Sequence, residues 1–320
     1  MLFDLIDRLH NIGLIPKVVI CDQGGPNRGL FRSLQLSHQR KSKTYIIRNK
    51  SKIHFSWDYP HLLKSVRNML LKHVVRVNRR KVDFKYVREV YELEKYQLCR
   101  STKLTSRHMN PNSLEKMKVS YATQTLSGSV AGAVSTYASL RYQMDNDLQR
   151  FQEAGSTAKF IKDMNGIFDI FDNSTKDGAL KKGSEHLKKL KSFYLPMFQS
   201  LELVNPPKRV AKSSSATSKS KHANSKKRKG STRKNNSKGN KALKKKKETK
   251  YVLPCINGWK FNIISLIEIW RDLNSNYKFE HLIQNRLNQD CIENYFSIIR
   301  GSNGSNDNPT SARFQTLINA

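Results

Sequence analysis

The chain has 320 residues, with 59 Lys and Arg against 25 Asp and Glu, which gives a formal net charge of +34. This excess predicts a polyanionic partner, first nucleic acid and second an anionic membrane surface. No run of about 18 apolar residues occurs, so we expect no membrane span. The four cysteines form no CxxC pair, which argues against a zinc site and favours a reducing intracellular compartment.

The first 59 residues alternate between helix and strand patterns, an order that favours an α/β layer structure. Asp22 and Asp58 each directly follow a predicted strand. Ligands of such sheets gather at the carboxyl ends of the strands. The predicted elements are helices over 2–12 and 27–36 and strands over 17–21, 45–47 and 53–57.

From residue 60 to about 203 the pattern becomes helical, and no strand is predicted there. Helices are expected over 61–77, 82–98, 113–142, 157–171 and 183–198.

The tract 206–250 holds 18 Lys or Arg and a single acid, about half of the net charge of the chain. It is too polar to form a core, so we predict that it is disordered. KKRK at 226–229 and KKKK at 244–247 are typical of a nuclear import signal or a nonspecific DNA tether.

Order is expected to resume near residue 251, and the stretch RLNQDCIENYFSIIRG (286–301) carries the most information. Asp290 and Glu293 lie three residues apart at the start of a predicted helix, so they are neighbours on its surface. The residues after Gly301 are predicted to form a loop. Helical spacing predicts a buried apolar face of Ile292, Tyr295, Phe296 and Ile299. Apolar neighbours predict core positions for Trp57, Trp259 and Trp270.

Each carboxylate also has a plain structural interpretation. An aspartate after a strand often caps the next helix, as Asp22 would, and acids in a first turn such as Asp290 and Glu293 suit the helix dipole. The combination is more specific, because a strand-end Asp, a long insertion and a helix-borne Glu follow the order of carboxylates in RNase H-like nucleases and transposases. Two metal ions about 4 Å apart promote displacement at phosphorus in such sites, and Mg²⁺ prefers hard oxygen ligands.

Two further pairs of residues could read a nucleotide. Asp58 and Lys64 flank the start of a helix, where an acid could bind a base edge and a lysine a phosphate; a surface acid with a solvated lysine is the alternative. Asn165 and Asp169 lie four residues apart on one helix face, or simply form a polar helix end. No GxxxxGK[ST] motif occurs, so any nucleotide site is not a P-loop.

Together, these blocks resemble the P-element transposase family, which includes the THAP-domain transposases of animals. The similarity covers nearly all of the chain except the lysine tract. The matching segments are VVICDQGGPN (18–27), WDYPHLLKSVRN (57–68), ATQTLSGSVAGA (122–133), FIKDMNGIFDIFDNS (160–174), RLNQDCIENYFSIIRG (286–301) and DNPTSARF (307–314).

The resemblance implies an α/β RNase H-like fold split by a mostly α-helical insertion that binds GTP. The expected boundaries are an RNase H-like N-terminal part (1–59), the GTP-binding insertion (60–205), a disordered linker (206–250) and an RNase H-like C-terminal part (251–320). The family reaction is Mg²⁺-dependent cleavage and strand transfer of transposon DNA, with GTP as a structural cofactor.

Residue by residue, Asp22 resembles the second catalytic and metal-binding carboxylate of the family and Glu293 the third. Asp58, Lys64, Asn165 and Asp169 resemble members of the GTP pocket, and Asp290 is expected beside it.

The chain departs from the family at its start. The first catalytic Asp of the family belongs to a strand upstream of the opening helix, so we expect an incomplete fold with its first strands missing and a polypeptide that is inactive alone. A non-enzymatic nuclear DNA-binding protein derived from a transposase is the alternative. The expected partners are DNA and GTP, not a membrane, in the nucleus, with homo-oligomerisation left open.

Overall fold

The strands predicted near the N-terminus form a three-stranded mixed sheet in a computed structural model that describes residues 1–39, 43–140, 146–204, 253–302 and 310–318. These strands are β1 (Val18–Cys21), β2 (Tyr45–Arg48) and β3 (Ser51–Trp57), in the order β1-β3-β2. β1 runs parallel to β3 and β2 antiparallel to it. The described residues belong to one compact unit. The tract predicted to be disordered lies outside them.

Helices account for most of the remaining structure. None of those described is long and apolar enough to cross a membrane. A π-helical turn, Leu190–Tyr194, joins the tenth helix to the eleventh, and 3₁₀ turns span Asn146–Phe151 and Gln284–Arg286. The helices are α1 (Leu2–Asn11), α2 (Gly25–Ser33), α3 (Tyr59–Leu70), α4 (Lys85–Glu94), α5 (Ser106–Met109), α6 (Ser113–Met117), α7 (Val119–Thr125), α8 (Gly128–Leu140), α9 (Gly155–Phe171), α10 (Glu185–Lys189), α11 (Leu195–Ser200), α12 (Pro254–Tyr277), α13 (Asp290–Ser302) and α14 (Ser311–Ile318).

The prediction of a strand-free block between residues 60 and 203 is wrong. A second sheet, of order β5-β4-β6, lies there, built from β4 (Val75–Val77), β5 (Arg80–Val82) and β6 (Glu202–Leu203). Its hairpin turns at Asn78 and Arg79, whose φ angles are +48° and +66°. Two positive φ values are the mark of a type I′ hairpin turn. The helix predicted over 61–77 ends at Leu70, and β4 occupies the last three residues of that range. The short strands were missed because three residues are too few to establish a period of two.

The predicted burial of the apolar face of α13 is also wrong, except at Ile299. Ile292, Tyr295 and Phe296 are 55%, 47% and 40% exposed, whereas Ile299 is 5% exposed. Within the described part of the chain, α13 packs mainly against α14. Helical spacing identifies an apolar face, but a covering surface must come from elsewhere in the fold. The loop predicted after Gly301 also gives way to α14, because eight residues are too few for a clear helical pattern.

The three tryptophans are buried, as predicted, and two of them, Trp259 and Trp270, belong to the long helix α12. Trp259 lies on α12 and stacks on Phe198 of α11, with ring centroids 5.7 Å apart. Trp57 lies at the end of β3, where it stacks on Phe31 of α2. The core therefore joins the N-terminal sheet, the helical block and α12 into one structure.

Two side chains of α12 bind the backbone of β3 where β2 no longer covers it. Asn262 accepts a hydrogen bond from the Trp57 N–H at 2.8 Å and donates one to the Trp57 carbonyl at 2.6 Å. The Ser265 hydroxyl donates to the Phe55 carbonyl at 2.5 Å. Both side chains are fully buried. The Asn262 amide thus takes the place of a further strand in the ladder.

Replacing Asn262 with alanine is expected to destabilise the fold by about 3 kcal/mol. It leaves the buried Trp57 N–H unpaired and leaves the Trp57 carbonyl with only the 3.3 Å bond from the Ser56 hydroxyl. Denaturant unfolding would measure the loss. Asn274→Ala is the matched control. Asn274 lies on the same helix as Asn262, but its amide donates a solvent-exposed hydrogen bond to the Phe279 carbonyl. Equal stability of the two variants would contradict the role of Asn262.

Candidate functional site

The carboxyl ends of β1 and β3 bring two acids to one edge of the sheet. Cys21 and Trp57 are partners in the parallel ladder, and the next residues are Asp22 and Asp58. The Asp58 N–H donates to the Cys21 carbonyl at 2.9 Å. Burial, together with the negative charges of Asp22 and Asp58, raises the pKa of the Cys21 thiol to about 12. The two acids thus share a small region at the strand ends.

The turn after β1 fixes the orientation of Asp22. One carboxylate oxygen, Oδ1, accepts hydrogen bonds from the Gly24 N–H at 2.9 Å and from the Asn27 amide at 2.7 Å. A Cβ atom at Gly24 would lie 2.9 Å from this oxygen, so a larger residue there would displace the acid. The glycine is needed for this close approach.

Asp58 is 2% exposed, and hydrogen bonds engage both of its oxygens. It is the N-cap of α3, because Oδ2 accepts from the His61 N–H at 3.1 Å and contacts His61 Nδ1 at 2.5 Å. Oδ1 accepts from the Gln289 N–H at 2.9 Å, immediately before α13. Asp58 therefore joins the start of α3 to the start of the carboxylate helix, and it could bind a base edge only after losing some of these bonds.

Lys64 is the charged centre of this region. It is 9% exposed, and burial lowers its pKa, while the carboxylates of Glu293, Asp58 and Asp22 oppose that shift. Glu293 also lies 3.9 Å from His61, measured between Oε1 and Nε2. The charges of positions 22 and 293, on opposite sides of the long insertion, therefore both act on the same ammonium group, although within the described residues no carboxylate forms an ion pair with it. We call Asp22, Asp58, Lys64 and Glu293 the strand-end cluster.

The strand-end cluster has oxygen ligands suited to Mg²⁺, but its donor set is incomplete. Among the residues that the structure describes, no group of three His, Cys, Asp or Glu side chains is arranged to hold a metal ion. The Lys64 ammonium already supplies a positive charge to these carboxylates. The residues present do not form a complete metal site as they stand.

A second cluster lies on α9. The Asn165 amide donates to Asp169 Oδ2 at 2.6 Å, and its oxygen accepts from the N–H of Gly128, the first residue of α8, at 3.1 Å. Burial raises the pKa of Asp169, and the charge of Asp172 adds to the shift. This pairing on one helix face agrees with the four-residue spacing in the sequence.

A hydrogen-bonded chain that the sequence did not reveal connects α9 to α13. The Tyr59 hydroxyl donates to Asp172 at 2.7 Å and accepts from the Asn288 amide at 3.2 Å. The same amide donates to Asp290 Oδ2 at 2.5 Å. Tyr59 follows Asp58 directly and Asp172 follows Asp169 by three residues, but no local pattern indicates that they meet.

The predicted site residues therefore fall into two groups. Lys64 faces the strand-end carboxylates, and in the described ranges no hydrogen bond or ion pair joins it to Asn165 or Asp169. Asp290 is connected through Asn288 and Tyr59 to Asp172, on the α9 side. A ligand that touched every predicted nucleotide-binding residue would have to span both groups.

Comparison with known proteins now adds to this geometry. Residues 60–184 match the family model of a TNP-like GTP-binding insertion domain, and residues 285–317 match that of a TNP-like RNase H C-terminal domain. The chain is 26% identical over 313 residues to the transposable element P transposase of Drosophila melanogaster. It resembles the solved Drosophila P element transposase strand transfer complex with a TM-score of 0.72, at 26% identity over 99% of this chain.

These matches show that the chain resembles RNase H-like, transposase-type proteins with a GTP-binding insertion domain. Within that class it is similar to the P-element transposase, which confirms the resemblance seen in the sequence. The chain spans 36% of the length of the Drosophila transposase and 62% of the chain in the solved complex. The domain boundaries and the missing first strands stay predictions.

Proposed function

We propose that the chain descends from, or forms part of, a P-element-like DNA transposase whose reaction is cleavage and strand transfer. Two observations carry this proposal: the charges of Asp22 and Glu293 both act on Lys64, and Glu293 lies 3.9 Å from His61, in the first turn of the helix that Asp58 caps. They unite a strand-end Asp with a helix-borne Glu across the insertion, the arrangement implied by the family. The solved relative is a strand transfer complex, which supports the reaction type.

The polypeptide alone is proposed to be inactive in strand transfer. Phosphoryl transfer by two metal ions needs carboxylates that bind both ions, and the described residues bring no such ligand group together. Asp22 and Glu293 would serve as Mg²⁺ ligands only once a further ligand completed the set. A nuclear location, the DNA partner and any self-association belong to this proposal.

The insertion is proposed to bind GTP as a structural cofactor. The match of residues 60–184 to a GTP-binding insertion domain supports this interpretation, and so does the polar row formed by Asn165, Asp169 and the chain to Asp290. An acid can accept hydrogen bonds from the N–H groups of a guanine edge. Lys64 and Asp58 would join the pocket if the phosphates reached the N-terminus of α3.

A non-enzymatic DNA-binding protein is the second candidate. It is favoured by the net charge of +34, which would give strong, salt-dependent DNA binding without chemistry.

Incubation of the full chain with end-labelled DNA and Mg²⁺ or Mn²⁺ separates these proposals. We expect DNA binding that weakens steeply with salt, and no cleavage that depends on Glu293. The matched control for Glu293→Ala is Glu280→Ala, which removes an exposed acid three residues after the end of α12. Cleavage that is lost in Glu293→Ala but kept in Glu280→Ala would overturn the proposed inactivity and establish an enzyme.

A further inference from the structure

The turn of the second sheet exposes a compact group of cations. We call residues 75–82, which comprise β4, the turn and β5, the arginine hairpin. Arg76, Arg79 and Arg80 are exposed, and Lys81 pairs with Asp83 at 3.4 Å. Three guanidinium groups thus lie within five consecutive residues on a narrow two-stranded ribbon.

Few acids offset this charge. Glu202 lies opposite Arg76 in the ladder and lines the same surface, so it offsets part of the charge of that arginine. Within the described ranges, no ion pair joins a carboxylate to Arg79 or Arg80. A concave surface beside the turn encloses a pocket with a volume of about 690 Å³, which is lined by two of the arginines and one hydroxyl. Its lining residues are Arg76, Asn78, Arg79, Ser200 and Glu202. Guanidinium and hydroxyl donors on such a surface suit phosphate oxygens.

A second hairpin of the chain has the same turn geometry, but its arginine is paired with an acid. Between β2 and β3, Asn49 and Lys50 also have positive φ angles, +48° and +60°. There, however, Arg48 forms an ion pair with Asp7, which also accepts a hydrogen bond from the Asn49 amide at 3.2 Å. The two turns share a backbone geometry, but an internal acid offsets the arginine of the β2–β3 hairpin.

The last described residue before the basic tract pairs with the backbone at the base of the arginine hairpin. The N–H of Val204 donates to the Val74 carbonyl at 3.0 Å, at the base of the hairpin. The tract of 18 Lys or Arg begins only a few residues further along the chain.

We propose that the arginine hairpin binds the phosphate backbone of double-stranded DNA, at a place separate from the strand-end cluster. A two-stranded ribbon is narrow enough to enter the major groove of B-DNA, and arginine binds phosphate through two parallel hydrogen bonds. The contact is with the backbone, so it is independent of base sequence. The surface adds a DNA contact to the proposed function and does not depend on catalysis.

Arg79→Gly in the full chain tests the proposal without damage to the fold. Glycine adopts positive φ without strain, so the variant should be at least as stable as the parent in thermal unfolding. Loss of one phosphate contact should weaken binding about fivefold near 0.15 M salt and reduce the slope of log K against log salt by about 0.9. Fluorescence anisotropy with a duplex of about 30 base pairs, titrated at several salt concentrations, measures both quantities.

Lys50→Gly is the matched control, because it removes one charge from the same position of the same turn type. It should leave the DNA affinity close to that of the parent. Equal losses in Arg79→Gly and Lys50→Gly would overturn the proposal in favour of diffuse attraction, as would unchanged binding in a variant with Arg76→Ser, Arg79→Gly and Arg80→Ser combined. Selective loss of binding to anionic lipid vesicles, with DNA affinity retained, would also overturn it.

Discussion

Asp169→Ala is expected to abolish the stabilisation of this protein by GTP. If the insertion binds the nucleotide, GTP at about 100 times its dissociation constant should stabilise the fold by about 2.7 kcal/mol. We propose that Asp169 recognises the guanine, because the Asn165 amide orients its carboxylate through a hydrogen bond of 2.6 Å to Oδ2. Without the carboxylate, a guanine edge would lose its acceptor. Thermal unfolding with and without GTP measures the effect.

The same replacement should not harm the protein without nucleotide. Burial holds the folded-state pKa of Asp169 above its ordinary value, so the fold favours the protonated acid. That contribution to stability is present at pH below the unfolded-state pKa and is lost as the pH rises through the raised value. Asp169 is exposed, so solvent screens most of this effect. Its removal near neutral pH should leave the stability of the nucleotide-free protein nearly unchanged.

Asp163→Ala is the matched control for Asp169→Ala. Asp163 lies on the same helix, its pKa is also raised by burial, and it pairs with Lys159 at 3.2 Å. It should retain the GTP shift. A shift that survives in Asp169→Ala, or that ATP reproduces equally, would contradict the guanine-reading role of Asp169.

Lys64→Met is expected to raise the affinity of the strand-end cluster for Mn²⁺ by about tenfold or more. The ammonium now offers a positive charge to Glu293, Asp58 and Asp22. Methionine keeps the volume and removes that charge, so the carboxylates would gain from a divalent cation. A tenfold change corresponds to about 1.4 kcal/mol, a modest amount for one unit charge near several carboxylates in a partly buried site.

Titration calorimetry with Mn²⁺ would measure the change, and Lys72→Met, an exposed loss of the same charge, is the control. Unchanged Mn²⁺ affinity in Lys64→Met would show that the lysine does not compete with a metal ion. If Lys64 instead binds the phosphates of GTP, the variant should lose the nucleotide-dependent stabilisation. The two outcomes distinguish the roles, because one concerns the metal and the other the nucleotide.

Much of the fold could be predicted because the patterns are local. The strand that ends at Cys21 and the N-terminal helix follow from runs of apolar residues and their punctuation by glycine and proline. The second sheet could not be predicted in the same way, since β6 meets β4 from more than 120 residues away. The exposure of the apolar face of α13 could not be predicted either. Periodicity shows that Ile292 and Tyr295 share a side, but only the tertiary structure shows what covers it.

The candidate site divides along the same line. Asp22 and Asp58 could be placed together from sequence because parallel strands end at one edge of a sheet. The contact of Asp58 with the N–H of Gln289 spans 231 positions and leaves no local trace. The chain from Tyr59 through Asn288 to Asp290 is hidden for the same reason. Long-range hydrogen bonds thus account for what the sequence left out.

The hydrogen bonds from Asn262 and Ser265 to β3 have a consequence for a chain that is cut anywhere between residues 206 and 251. The halves would stay associated without a peptide bond between them, because α12 is sealed into the sheet by buried amide and hydroxyl bonds. Glu293 would then belong to one fragment, and Asp22, Asp58 and Lys64 to the other. The protein is in this sense a natural candidate for reconstitution from two separately expressed fragments.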